Sequence, residues 1–306
     1  MKRLLFLSCA ISLCACGGDP GPRDATADTG ASDAASPVED AGLPPRATEP
    51  TLPSVTGTCP EFADGRITVS PEGLPPREVR LWIGDAAQTM DGPLVFYWHG
   101  AGSRVEEAEY GLGPDTMEAI LGAGGMVVAP TRAPDSGDFP WHLTTGNRDD
   151  DLRVADEILA CAIASVGVDT THIHSIGMSA GGLHTTQMSY RRSSYLASVV
   201  TYSGGLYLGR PPRMDEPTNR FPSLIFHGGP SDIVIIEFEE ASLRYHADLT
   251  NRAHTAFICD HGAGHSIPTA ARDSVWEFFQ AHPYGAESPW AEGLPDGFYA
   301  PCGLEP

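Results

Sequence analysis

From residue 59 onward, short apolar runs alternate with stretches whose apolar residues recur every three or four positions. The runs "REVRLWIG" (77–84), "PLVFYWHG" (93–100) and "GMVVAP" (125–130) are short and rich in β-branched and aromatic residues, and they predict buried strands. The first two are close in sequence, so they are expected to be neighbours in the sheet with a short connection. "DDDLRVADEILACAIASVG" (149–167) predicts a helix. Aspartates favour its N-terminus, and Leu152, Ala155, Ile158, Leu159 and Ala162 keep the spacing of one helical face. Strands are expected again at 172–177, 196–205, 222–229 and 254–262, with helices after residue 179 and over 237–251 and 268–282. This alternation predicts an α/β fold, a mostly parallel sheet with helices on both faces. Such sheets bind ligands beyond the carboxyl ends of their strands, so the residues just after each strand are those to examine.

Those residues fall in a telling order. His99-Gly100-Ala101-Gly102 follows the strand at 93, and Ser179 follows the strand at 172 within "GMSAG", a G-x-S-x-G turn. Asp232 follows "SLIFHGG", and His265 follows "AFICDHGAG". Taken alone, the serine motif is also what an ordinary Gly-rich strand-to-helix turn looks like. The order loop, serine, aspartate, histidine is that of the α/β-hydrolase fold and differs from the other serine-hydrolase classes. Each residue type suits a role. Ser179 is a weak nucleophile until a base takes its proton, and His265 on a Gly-rich loop can be that base. Asp232 can hold the imidazole tautomer and stabilise the imidazolium. The backbone amides of Ala180 and of the 99–102 loop, with Ala101 the preferred residue, can receive the negative oxygen of a tetrahedral intermediate. Asp260 competes for the acid role but precedes His265 by only five residues in one loop. His99 is expected to orient its loop, and His227 and His261 to bond backbone. His172 and His174 alternate on one strand face, as a metal pair could. No third ligand stands near them in the sequence, and neither a metal nor another cofactor is expected.

The N-terminal region has a different texture. "MKRLLFLSCAISLCAC" has a basic start and an apolar stretch too short to span a membrane as a helix. Residues 1–15 are expected to be an export signal of lipoprotein type, with Cys16 lipidated. Residues 16–58, rich in Gly, Pro, Ala and Asp, are expected to form a disordered tether. Residues 59–306 are then the catalytic domain of an exported protein. It would be anchored to a membrane, the outer membrane by default, or secreted. The net charge of −21, with Lys2 the single lysine, excludes a nucleic-acid partner and leaves the lipid as the one membrane contact. Beyond the signal, Cys59, Cys161, Cys259 and Cys302 remain, and export makes disulfides reasonable. Four cysteines allow three pairings. A Cys59–Cys302 staple joining the ends of the domain is preferred, with the others open.

The segments "FYWHGAGS", "GVDTTHIHSIGMSAGG", "VVTYSGG", "IFHGGPSD" and "HGAGHSIP" together resemble the secreted polyhydroxybutyrate depolymerase and feruloyl esterase-like group of α/β-hydrolases, over residues 75–282. The resemblance implies that Ser179, Asp232 and His265 are a catalytic triad. It also implies a serine hydrolase that cleaves carboxylic esters, polymeric, short-chain or aryl, through an acyl-enzyme. A serine peptidase on the same fold and a retired, tethered binding scaffold are the alternatives. The chain departs from the group's "HG-x-x-D" pattern: "HGGPSD" is one residue longer. Residues 206–222 are too few for a large lid. The long loop 131–148 is a candidate for function. In it Phe139 and Trp141 are candidates for an apolar wall that binds substrate beside Ser179, or for pins that hold the loop. Tyr202 and Ser203 are expected to serve the floor or the packing. The tail from Tyr284 is expected to wrap the surface.

Overall fold

The computed structural model describes residues 42–143 and 148–306. The expected signal, Cys16 and the first part of the tether lie outside the described residues, as do residues 144–147 of the long loop. The chain from Pro44 to Pro306 forms one compact unit.

Among the described residues nine strands make one sheet: β1 (Gly65–Val69), β2 (Arg77–Ile83), β3 (Leu94–Trp98), β4 (Met126–Pro130), β5 (Ile173–Met178), β6 (Ser198–Tyr202), β7 (Ser223–His227), β8 (Ala256–Asp260) and β9 (Cys302–Gly303). Their order is β1-β2-β4-β3-β5-β6-β7-β8-β9. The six strands from β4 to β8 in that order run parallel, and the outer strands β1, β2 and β9 are antiparallel to their neighbours. The expected pairing of the 77–84 and 93–100 strands does not occur, because β4 lies between them. Burial accounts for this. β3 is buried along its whole length and belongs inside the sheet, whereas β2 alternates at its start and suits the margin.

Among the described residues six α-helices flank the sheet. One face carries α3 (Asp150–Ser165), α4 (Ala180–Arg191) and α5 (Phe238–Asn251) in a core with Phe96, Trp98 and Tyr245. The other carries α1 (Glu107–Leu112), α2 (Pro114–Gly122) and α6 (Arg272–Ala281) in a core with Tyr97, Phe226 and Phe278. The helical pattern at 101–124 is hard to read because Gly113, at φ 81°, and Pro114 split it into two short helices. Among the described residues no helix is long and apolar enough to cross a membrane.

Two expectations give way. The disulfides are Cys59–Cys161 and Cys259–Cys302, not the preferred Cys59–Cys302 staple. Cys59 lies just before β1 and Cys302 in β9, and these are the two outermost strands. Eight strand spacings separate them by about 38 Å, far beyond what a disulfide spans. Cys302 instead sits opposite Cys259 in the β8–β9 register. The stretch from Ala47 to Gly57, expected to lie in a disordered tether, is bonded to the domain. The Ala47 and Thr51 amides donate to the Thr218 and Ser194 carbonyls. The Glu157 carboxylate accepts from the Thr56 amide and hydroxyl and the Gly57 amide. Those bonds offset the ordering entropy of a segment with little apolar surface.

Candidate active site

β3 and β5 lie side by side at the point where the strand order reverses, so their following loops open a crevice at the carboxyl edge. Ser179 stands at the turn from β5 into α4, with φ 57° and ψ −118°. Such a backbone costs a non-glycine residue on the order of 1–3 kcal/mol and persists only where surroundings impose it. Here the Ser179 amide donates to the Tyr202 carbonyl and its carbonyl accepts from the Leu183 amide, both at 2.9 Å. Gly181 makes the close approach possible: a Cβ there would overlap the Trp98 carbonyl oxygen.

Ser179, His265 and Asp232 meet across three strand ends. His265 Nε2 is 2.9 Å from Ser179 Oγ, and His265 Nδ1 is 2.7 Å from Asp232 Oδ1. The Phe238 ring stacks on the imidazole with centroids 4.7 Å apart. Asp232 is fully buried. Its Oδ2 accepts from the Ser203 hydroxyl at 2.8 Å and the Gly228 amide at 3.0 Å. Burial pushes its carboxyl up, but the bonds from His265, Gly228 and Ser203 outweigh that and hold it below the usual carboxylate value. The extra residue in "HGGPSD" is taken up by a 3₁₀ turn, Gly229–Ser231, which Gly229 permits at φ 73°. The aspartate and histidine loops are tied together. The Gly264 amide donates to the Gly228 carbonyl, and the His261 amide to the His227 carbonyl, both at 3.0 Å. Asp260 takes no part; its carboxylate accepts from the Gly262 amide.

The Ala180 amide opens α4, where the helix dipole is positive. The 99–102 loop lies against the serine: a Cβ on Gly100 would be 3.4 Å from Ser179 Cβ. Among the described residues the amides of Ala101 and Ala180 bond no other group. Together with a hydrogen-bonded alcohol, imidazole and carboxylate, two free amides suit attack on a carbonyl carbon and reception of the oxyanion.

Trp141 and Phe139 part company. Trp141 has no exposed surface, so it cannot be the substrate wall expected of it. It sits edge-on to Trp98, beside His99 and His184, and its Nε1–H donates to the His99 carbonyl at 3.0 Å, bracing the 99–102 loop. Phe139 is half-buried and lines a groove with Leu206 and Ile235. Two supporting side chains escape sequence reasoning. Ser203 looks like strand-end packing, yet it bonds Asp232. Glu107 lies in a stretch with no legible helix; its carboxylate accepts from the Gly100 amide at 3.0 Å and the Tyr97 hydroxyl at 3.3 Å. Burial raises the Glu107 carboxyl above its ordinary value, against those bonds and one from Ser103. No spacing rule announces either contact.

Among the described residues, Asp135, His142 and Asp150 form one group that could hold a metal ion, and His227, Glu239 and Asp260 form another. In the first, the Arg148 guanidinium already bonds both aspartates. His172 and His174 fall in neither group. His172 bonds Asp169 and Thr171, and His174 bonds the Ser198 hydroxyl.

The arrangement is an α/β-hydrolase fold, and solved structures of that fold are similar to it. One is pOPH in complex with DMSO, at 15% identity and TM-score 0.65, covering 81% of this chain and 96% of that one. Another is a ferulic acid esterase, at 15% identity and TM-score 0.53, covering 69% of this chain and 94% of that one. A curated protein named "Putative esterase NocK", from Nocardia uniformis subsp. tsuyamanensis, is 27% identical over 199 residues, 60% of this chain. The chain spans 56% of that relative's length. No family model matches.

Proposed function

We propose that this protein is a serine esterase that cleaves carboxylic esters through an acyl-enzyme, with Ser179 as nucleophile, His265 as general base and acid, and Asp232 as the partner of His265. The observation that carries the reading is the unbroken hydrogen-bonded chain from Asp232 through His265 to Ser179, with Ser179 at a strained turn. His265 Nδ1–H donates to the buried carboxylate, leaving Nε2 to accept the serine proton. Ser179 Oγ attacks the ester carbon as that proton moves to Nε2. The amides of Ala180 and Ala101 stabilise the oxyanion; one such donor is worth about 2.7–4 kcal/mol of barrier. The imidazolium returns the proton to the leaving alkoxide, the alcohol departs, and an acyl-Ser179 ester remains. Water, deprotonated by His265, then releases the acid and restores the serine. The similarity to the sequence named "Putative esterase NocK" supports ester substrates over peptides.

Export accompanies this reading. Two disulfides fit an oxidising compartment. The basic and apolar start of the chain fits a signal with lipidation at Cys16. The test of function is hydrolysis of p-nitrophenyl acetate and butyrate and of methyl ferulate, by wild type beside Ser179→Ala. Turnover that vanishes with the serine supports the assignment. Turnover that survives in Ser179→Ala removes the nucleophile.

A further inference from the structure

The carboxyl edge of the sheet carries a second feature. A cavity of about 470 Å³ is lined by Phe139, Leu206, Leu208, Ile235, Ile236 and Ala241. Its walls come from the loops after β4, β6 and β7, the same edge on which Ser179 stands after β5. One wall is unusual. "DIVIIEF" (232–238) places four aliphatic residues directly after Asp232, outside any strand. Ile233, Val234 and Ile235 are 54%, 60% and 83% exposed, and Leu208 across the groove is 65% exposed. Of the eight large hydrophobic residues exposed among the described residues, Leu208 and Ile235 line the groove and Ile233 and Val234 directly precede Ile235 in its loop, so the apolar surface is concentrated and not scattered. The loop is held in place. The Phe238 amide donates to the Asp232 carbonyl at 2.9 Å, and Ile233 and Glu237 form a β-bridge that closes it. Phe238, one residue beyond, stacks on His265. The ridge is thus built onto the residues that hold the imidazole.

We infer that this groove binds the uncharged aliphatic chain of the ester held at Ser179, between Leu208 and the Ile235–Ile236 wall. The inference rests on the esterase reading for its occupant. The ridge starts one residue after Asp232 and ends at Phe238 on His265, and that nearness argues for substrate, while the aliphatic walls argue for a neutral chain. Glu237, Glu240 and Arg244 line its rim beside the aliphatic residues, so the groove offers an alkyl chain apolar walls between charged groups of both signs. Aliphatic polyesters and medium-chain acyl esters share this chemistry.

The experiment is kcat/KM for p-nitrophenyl acetate, butyrate, hexanoate and octanoate, in wild type, Leu208→Ser and Ile235→Ser. Taking a methylene out of water is worth about a factor of four, so wild type should gain up to about fourfold per added methylene until the groove is filled. The readout is the octanoate-to-acetate ratio within each protein. It should fall at least about tenfold in either variant. A flat wild-type series, or a ratio the variants leave unchanged, overturns the groove. Failure of the esterase reading shows differently, as no Ser179-dependent turnover of any ester. For that case, calorimetric binding of 2-octanone, which has no scissile bond, is measured on Ser179→Ala with and without Leu208→Ser. Binding weakened about fivefold or more by the second substitution upholds the groove, and absent or unaltered binding overturns it. A concentration-dependent dimer abolished by Ile235→Ser assigns the ridge to a second copy of the chain and overturns it as well.

Discussion

Replacing Ser203 with alanine removes one of three donors to a carboxylate that water cannot reach. The Ser203 hydroxyl lies 2.8 Å from Asp232 Oδ2, and Asp232 has no exposed surface. Hydrogen bonds to charged groups contribute about 1.5–3 kcal/mol, and here no solvent replaces the lost donor. Ser203 has φ 48°, but alanine keeps the Cβ, so the backbone cost is the same in both proteins. The expected loss of stability at pH 7 is therefore about 1.5–3 kcal/mol. Its pH dependence has a definite sign. The folded carboxyl of Asp232 is held below its unfolded value, so its contribution is present above the unfolded pKa, near 3.9, and is lost as pH falls through the folded one. Ser203→Ala lets the folded value rise, so the gap between the two proteins should close below about pH 4. Urea unfolding at pH 7 and at about pH 2.5 measures both quantities. A loss under about 0.5 kcal/mol at pH 7 would mean that the carboxylate does not depend on this donor. A gap of equal size at both pH values would mean that the bond is not one to a charge.

Three further outcomes follow from the same geometry. Gly181→Ala forces α4 away from the end of β3 and should cost more than about 3 kcal/mol or prevent folding. Gly122→Ala, with nothing within 4 Å of the new Cβ, should raise the melting temperature slightly; equal effects on melting would refute the close-approach argument. Replacing Cys259 and Cys302 by serine opens a loop with a sequence separation of 43, worth about 4 kcal/mol of unfolded-state entropy, measured as the shift in the urea midpoint. Asp151→Asn bears on acid stability. Burial opposes the charge on Asp151, but bonds from His142 and the nearby His184 and Arg77 bring its carboxyl down to about 2. About 2–3 kcal/mol that wild type holds above pH 4 and loses as pH falls through about 2 should then be missing from the variant, and unfolding followed against pH shows whether it is.

The order of chemical groups along this chain is local information. The runs that become β3, β7 and β8 are legible because a strand buried on both faces is mostly apolar, and β5, which buries His174 and Ser175, is legible from the G-x-S-x-G turn that follows it. The residues after them are then named by position alone. That is how Ser179, Asp232 and His265 come forward from position along the chain, and how Gly181 is recognised as part of a tight turn. What the sequence cannot supply is the lateral order of strands and what each side chain meets across them. β4 intervenes between β2 and β3, although the sequence sets those two side by side. The disulfides close at opposite margins of the sheet, although the ends of the domain invited a staple. Trp141 braces the 99–102 loop from behind, while Phe139, two residues earlier, faces a groove. Ser203 and Glu107 reach Asp232 and Gly100 across 29 and 7 residues of chain. The sequence by itself determined the fold class and the three residues at the strand ends, because periodicity and strand-end position are properties of neighbouring residues. Only the tertiary structure decided the supporting bonds, the disulfide pairs and the aliphatic groove, because each depends on which distant segments the sheet brings together.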